Sequence, residues 1–186
     1  VDVLDVLALV VAAFSLLVAS VGTFLANKRS KEALAASQGA AITALWSALQ
    51  EAVQRLIGFD PTAEPVGDRL ANLRISMIAL VDELPDWAAM DDWLEMERKL
   101  GATYARQVLD ASKPDDDVER RLQNLEPLMT WAQALSSNLR FLKASGYDQA
   151  ALGDLTTAAR NAVAEIHEVN GWNLPPTANP RIQPLH

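Results

Sequence analysis

Hydrophobic positions fall into two regimes along this chain. From residue 6 to residue 26 they form an uncharged run, VLALVVAAFSLLVASVGTFLA; beyond residue 31 they recur at helical spacing among polar residues. The run has 21 residues. As a helix it reaches about 31 Å, close to the thickness of a bilayer's hydrocarbon core. Asp2 and Asp5 precede it, and Lys28, Arg29 and Lys31 follow it. Basic residues favour the cytoplasmic flank of a span. The pattern therefore predicts a single transmembrane helix with the N-terminus outside and everything after it in the cytoplasm. A secretory signal peptide fits less well, because it starts basic and has a shorter apolar stretch. A helix buried in a bundle also fits less well, since such helices rarely run this far without a charge.

Small residues mark one side of the span: Ala8, Ala12, Ser15, Ala19, Gly22 and Ala26. Their alternating spacing of four and three keeps them on one face. Stripes of this kind let membrane helices approach closely. The spacing resumes at Ala33, Ser37, Ala40 and Ala44, so the anchor and the first cytoplasmic helix are expected to be nearly continuous, with a seam for self-association.

After the anchor, the periodicity predicts five amphipathic helices. The first covers about 32–57, on Ile42, Leu45, Trp46, Leu49, Val53 and Leu56. The second covers about 65–84, on Leu70, Leu73, Met77, Leu80 and Leu84. Pro85 and Asp86 restart the chain for a third, to about 111, with Trp87, Met90, Leu94, Leu100, Tyr104 and Val108 mostly inward. The fourth, about 117–145, opens on a capping box from Asp116 to Glu119 and uses Val118, Leu122, Leu125, Met129, Ala132, Leu135, Leu139 and Leu142. The fifth is capped by Asp148, with Tyr147 stapled to Leu152, and runs to about 169. Gly58-Phe59, Gly146-Tyr147 and Gly171-Trp172 each read as a Schellman ending, glycine followed by a hydrophobic residue. Short connectors favour antiparallel neighbours. The fold class is thus all-α: a transmembrane helix running into an antiparallel cytoplasmic bundle. Residues 1–31 form the anchor and its basic flank, 32–172 the bundle, and 173–186 an extended tail with prolines at 175, 176, 180 and 184.

Charge sharpens this picture. The net charge is −8, of which the first 31 residues contribute +1 and the rest −9. So acidic a domain carries no nucleic-acid footprint. With no cysteine, disulfides and thiolate metal sites are excluded. Val1 fits either a fragment or a GTG start read literally, and the abundance of Ala, Leu and Asp suggests a GC-rich bacterium, hence the bacterial inner membrane.

Candidate chemistry is sparse. Asp91, Asp92, Glu95 and Glu97 read as a solvated acidic face; no Glu-x-x-His pair accompanies them, as a di-metal bundle requires. His167, the one histidine inside a predicted helix, reads as a favourable charge near a helix C-terminus. Asp115, Asp116 and Asp117 lack the spacing of a calcium loop. No phosphate-binding glycine loop or nucleophile elbow occurs. Trp87 and Trp93 lie about 240° apart around a helix, so one of them, with Trp172, is a candidate partner surface. The tail is expected to lie back on the bundle through Trp172, Leu174 and Ile182.

Function at this level is a non-enzymatic, membrane-tethered interaction or scaffold module. No cofactor or metal is expected. The expected partners are the bilayer, a second copy of the chain and an unidentified protein. Two alternatives compete: an enzyme with a site around Asp91, Asp92, Glu95 and His167, and a membrane-disrupting effector built from oligomerised spans.

Overall fold

The computed structural model describes residues 3–57 and 65–174, with side chains from residue 28 onward. Five helices and no strand are found among them. These are α1 (Val3–Gln54), α2 (Val66–Asp82), α3 (Ala88–Ala111), α4 (Val118–Ser145) and α5 (Gln149–Val169). The all-α reading holds, and the continuity of α1 through the basic cluster matches the uninterrupted helical pattern there.

No helix among the described residues is long and apolar enough to cross a membrane. The expected span, 6–26, lies within α1, but its side chains fall outside the described residues, as do those of Ala8, Ala12, Ser15, Ala19, Gly22 and Ala26.

The chain divides into two compact units, Val1–Ala44 and Leu45–His186. The division falls later in α1 than the expected boundary at residues 31 and 32. The reason is visible in the side chains. Residues 28–41 are all exposed and Ile42 is half-buried. Full burial begins only at Trp46, then Leu49, Ala52, Val53 and Leu56.

In the Leu45–His186 unit, α3 is the hub. It packs against α2, α4 and α5. It contributes Met90, Trp93, Leu94, Leu100, Ala105 and Val108 to the core. Leu73, Met77 and Leu80 of α2 meet it, as do Leu128, Leu135, Leu139 and Leu142 of α4 and Leu152 and Val163 of α5 in the same core. The end of α1 joins through polar contacts to α4. Gln50 Nε2–H donates to the Ser136 carbonyl (3.0 Å) and Gln54 Nε2–H to Ser136 Oγ (3.0 Å).

Helix ends mostly follow local chemistry. Asp148 accepts from the Ala151 N–H at 3.0 Å, as expected of an N-cap. At the C-terminus of α5 the Schellman pattern is complete: Trp172 N–H donates to the His167 carbonyl and Gly171 N–H to that of Glu168, with Gly171 at φ 64°. Gly146, at φ 87°, makes the simpler ending, a single bond to the Leu142 carbonyl. Gly58 and Phe59 lie outside the described residues.

Three expectations are corrected. The cap of α4 is Asp117, which accepts from Arg120 N–H; Asp116 instead accepts from Lys113 N–H and holds the preceding turn. Pro85 does not open α3. It sits inside a turn closed by Trp87 N–H on the Leu84 carbonyl (2.9 Å), and the helix begins three residues later. Val118 and Leu122 are exposed rather than inward. The first turns of α4 spend their inner face on the preceding turn, where Arg121 Nε–H donates to the Asp116 carbonyl and Asn124 Nδ2–H to that of Ala111. The apolar pair is left facing outward.

Candidate functional site: a buried carboxylate under a helical groove

The acidic residues of α3 separate into three environments. Asp91 and Asp92 are exposed. Glu95 is half-buried and held by its own helix. Arg98 donates to it through Nε and Nη2, both at 2.7 Å, and Lys99 Nζ stands 3.6 Å away. The hydrogen bonds from Arg98 push the Glu95 carboxyl below its ordinary range.

Glu97 is a correction to the solvated-face reading: it is only 6% exposed. Trp93 Nε1–H donates to its Oε1 (2.9 Å) and Trp131 Nε1–H donates to its Oε2 (2.7 Å). Each carboxylate oxygen thus has one indole donor, from α3 and from α4. Burial raises the Glu97 carboxyl above the usual glutamate range, and the two indole hydrogen bonds offset that only in part. Among the described residues no cationic side chain pairs with it.

Gly101 makes this arrangement possible. A Cβ there would meet Trp131 Cη2 at 2.3 Å. The bare backbone of α3 is therefore the notch into which the Trp131 ring fits, one turn beyond Glu97.

Above this cluster a groove of about 470 Å³ opens between α3, α4 and α5. Glu97, Leu100 and Tyr104 line it from α3; Glu126, Pro127, Thr130, Trp131, Ala134, Leu135 and Asn138 from α4; Leu155, Ala158, Ala159 and Ala162 from α5. Alanines on α5 give it room. Pro127 lies inside α4; lacking an N–H, it withdraws one helical donor on this wall. Burial, together with the Glu97 and Glu165 charges, raises the Tyr104 phenol.

His167 belongs to a different place. It is buried; its Nδ1–H donates to the Asn173 carbonyl (2.7 Å), and Nε2 lies 3.3 Å from Thr103 Oγ1. Trp172 meets the imidazole edge-on with centroids 5.5 Å apart, and Arg106 lies 4.0 Å over the Trp172 ring. This histidine fastens the chain where it leaves α5. The structure does not bring it together with Asp91, Asp92 and Glu95, and no group of metal-ligating side chains occurs among the described residues.

Of the tryptophans proposed as a partner surface, Trp93 is fully buried. Trp87 is half-buried, 6.1 Å from Trp46 and 5.4 Å from Tyr147 between ring centroids. Trp172 is half-buried over His167, and Leu174 is exposed; Ile182 lies outside the described residues. Ala33, Ser37, Ala40 and Ala44 are exposed, as are Lys28, Arg29 and Lys31.

The sequence reading missed Glu97, Gly101, Trp131 and the groove. A signal for Glu97 existed. It stands three residues after Leu94 and three before Leu100, on the apolar stripe of α3 rather than with its acidic sequence neighbours. Nothing local marks Gly101, since the ring it accommodates comes from another helix. Comparison with protein families, with curated proteins and with solved structures finds no match to this chain.

Proposed function

We propose that this chain is a single-pass, membrane-tethered helical module of the bacterial inner membrane, holding a cytoplasmic bundle that binds rather than turns over its partners. The observation that carries this reading is the uncharged run at 6–26 followed by Lys28, Arg29 and Lys31. Tethering would confine the bundle to a layer beside the bilayer and raise its effective concentration toward partners there. The competing enzymatic reading loses support because its residues are already committed elsewhere: Glu95 to Arg98 and Lys99, His167 to Asn173 and Thr103.

The test is fractionation of the full chain bearing a C-terminal reporter. The protein is expected to stay with membranes through carbonate and high-salt washes, with the reporter on the cytoplasmic side. Release into the soluble fraction, or an external reporter, overturns the reading. Self-association has its own test. The exposed face at Ala33, Ser37, Ala40 and Ala44 continues the small-residue stripe of the run. Ala40→Cys, the sole cysteine it would introduce, is expected to crosslink in membranes; a chain that stays monomeric under oxidant removes the seam from the proposal.

A further inference from the structure

We propose that the groove between α3, α4 and α5 binds a small amphipathic organic cation, an alkylammonium whose head meets Glu97 and whose hydrocarbon lies along the alanine wall of α5. This goes beyond the tethered-module reading and does not depend on it.

The first argument is charge. A carboxylate accepts about four hydrogen bonds, and Glu97 receives two, both from neutral indoles. Donors on both oxygens suit the ionised, acceptor-only form. Taking that charge out of water is costly unless a cation compensates, and no lysine or arginine lines the groove. A primary ammonium brings three donors and the missing positive charge. The second argument is the rest of the lining. The other ionisable groups there are Tyr104 and Glu126, so the groove disfavours anions throughout. Aromatic faces at Trp131 and Tyr104 suit a cation, which is drawn to the ring quadrupole. The third is shape. Ala158 and Ala162 leave an apolar channel wide enough for a short alkyl chain beside a buried charge, the usual composition of a small-molecule site: apolar walls with few convergent polar groups.

The experiment uses the full chain in lipid nanodiscs, with empty nanodiscs as reference. Ligand-observed NMR measures binding of n-hexylammonium, n-hexanol and n-hexanoate, which share one hydrocarbon chain and differ in the head. Hexylammonium is expected to bind at least about tenfold more tightly than hexanol, as for a hydrogen bond to a charged group, and hexanoate not at all. Glu97→Gln is expected to erase the preference for ammonium over alcohol. Ala158→Trp, which fills the groove from its exposed wall, is expected to abolish binding of both. Equal affinity for amine and alcohol, preference retained in Glu97→Gln, binding retained in Ala158→Trp, or no hexylammonium binding beyond empty nanodiscs each overturns the proposal. If Glu97→Gln does not fold, the amine-to-alcohol ratio in the native chain and the Ala158→Trp result still decide it.

Discussion

Glu95 and Glu97 are two residues apart on one helix, yet their carboxyl groups shift in opposite directions. Glu95 is held ionised by Arg98; Glu97 is turned inward, where burial outweighs two indole donors. The consequence for stability has opposite signs. For Glu97 the folded-state value is raised, so its contribution is fully present below the unfolded value of 4.5 and is lost as pH rises through the folded one. Comparing the native chain with Glu97→Gln cancels the other carboxylates. The amide introduced by Glu97→Gln would turn an N–H toward one indole N–H, costing about 1–3 kcal/mol for the unsatisfied donor. The native chain's advantage over Glu97→Gln is therefore expected to be largest near pH 4 and to shrink toward pH 7, as measured by urea unfolding at both. An advantage that grows with pH would mean that the indole bonds outweigh burial. Gly101 gives a second residue-scale prediction. Alanine normally stabilises a helix interior by about 1 kcal/mol over glycine, and Gly153→Ala, where a Cβ meets open space, should gain that. Gly101→Ala should instead lose about 2 kcal/mol or more, because it drives Trp131 off α3 and breaks its bond to Glu97. Thermal unfolding of the two variants should move in opposite directions.

At the scale of elements, what the sequence made legible was what local chemistry determines. The last four helices end within a few residues of their expected limits because the signals are short-range: Asp148 reaches an N–H three residues away, and Gly171 permits the turn that ends α5. The start of α3 was misplaced because proline serves both a helix's first turn and a β-turn, and only the Trp87 to Leu84 hydrogen bond distinguishes them here. The exposure of Val118 and Leu122 was hidden for a related reason: Arg121 and Asn124 compete for the inner face by folding onto the preceding turn. The groove was not legible at all, since it requires three helices to be placed side by side. Capping gives the test at this scale. Asp117→Ala and Asp148→Ala should each cost about 1 kcal/mol. Asp116→Ala disrupts the turn alone and should leave the start of α4 protected in amide hydrogen exchange; if Asp116→Ala instead unprotects Arg120 N–H, the cap assignment is wrong.

For the whole molecule, the distribution of charge matters more than its sum. A net +1 in the first 31 residues precedes −9 in the remainder, so the one basic cluster stands at the edge of the proposed span. Three cations against Asp2 and Asp5 on the other flank would set orientation, because translocation of Lys and Arg is disfavoured and acids count for little. The acidic bundle would be repelled by anionic headgroups, each surface charge acting within about 8 Å at physiological salt, so the tether rather than surface adhesion would keep it beside the membrane. Reversing the cluster with Lys28→Glu, Arg29→Glu and Lys31→Glu separates these roles. Those side chains are exposed, so the bundle's unfolding transition should stay unchanged. A C-terminal reporter should lose its uniform cytoplasmic orientation, while the carbonate-resistant fraction persists because the apolar run is intact. If the triple variant washes off the membrane instead, basic attraction rather than the run holds the native chain there, and a peripheral attachment replaces the span.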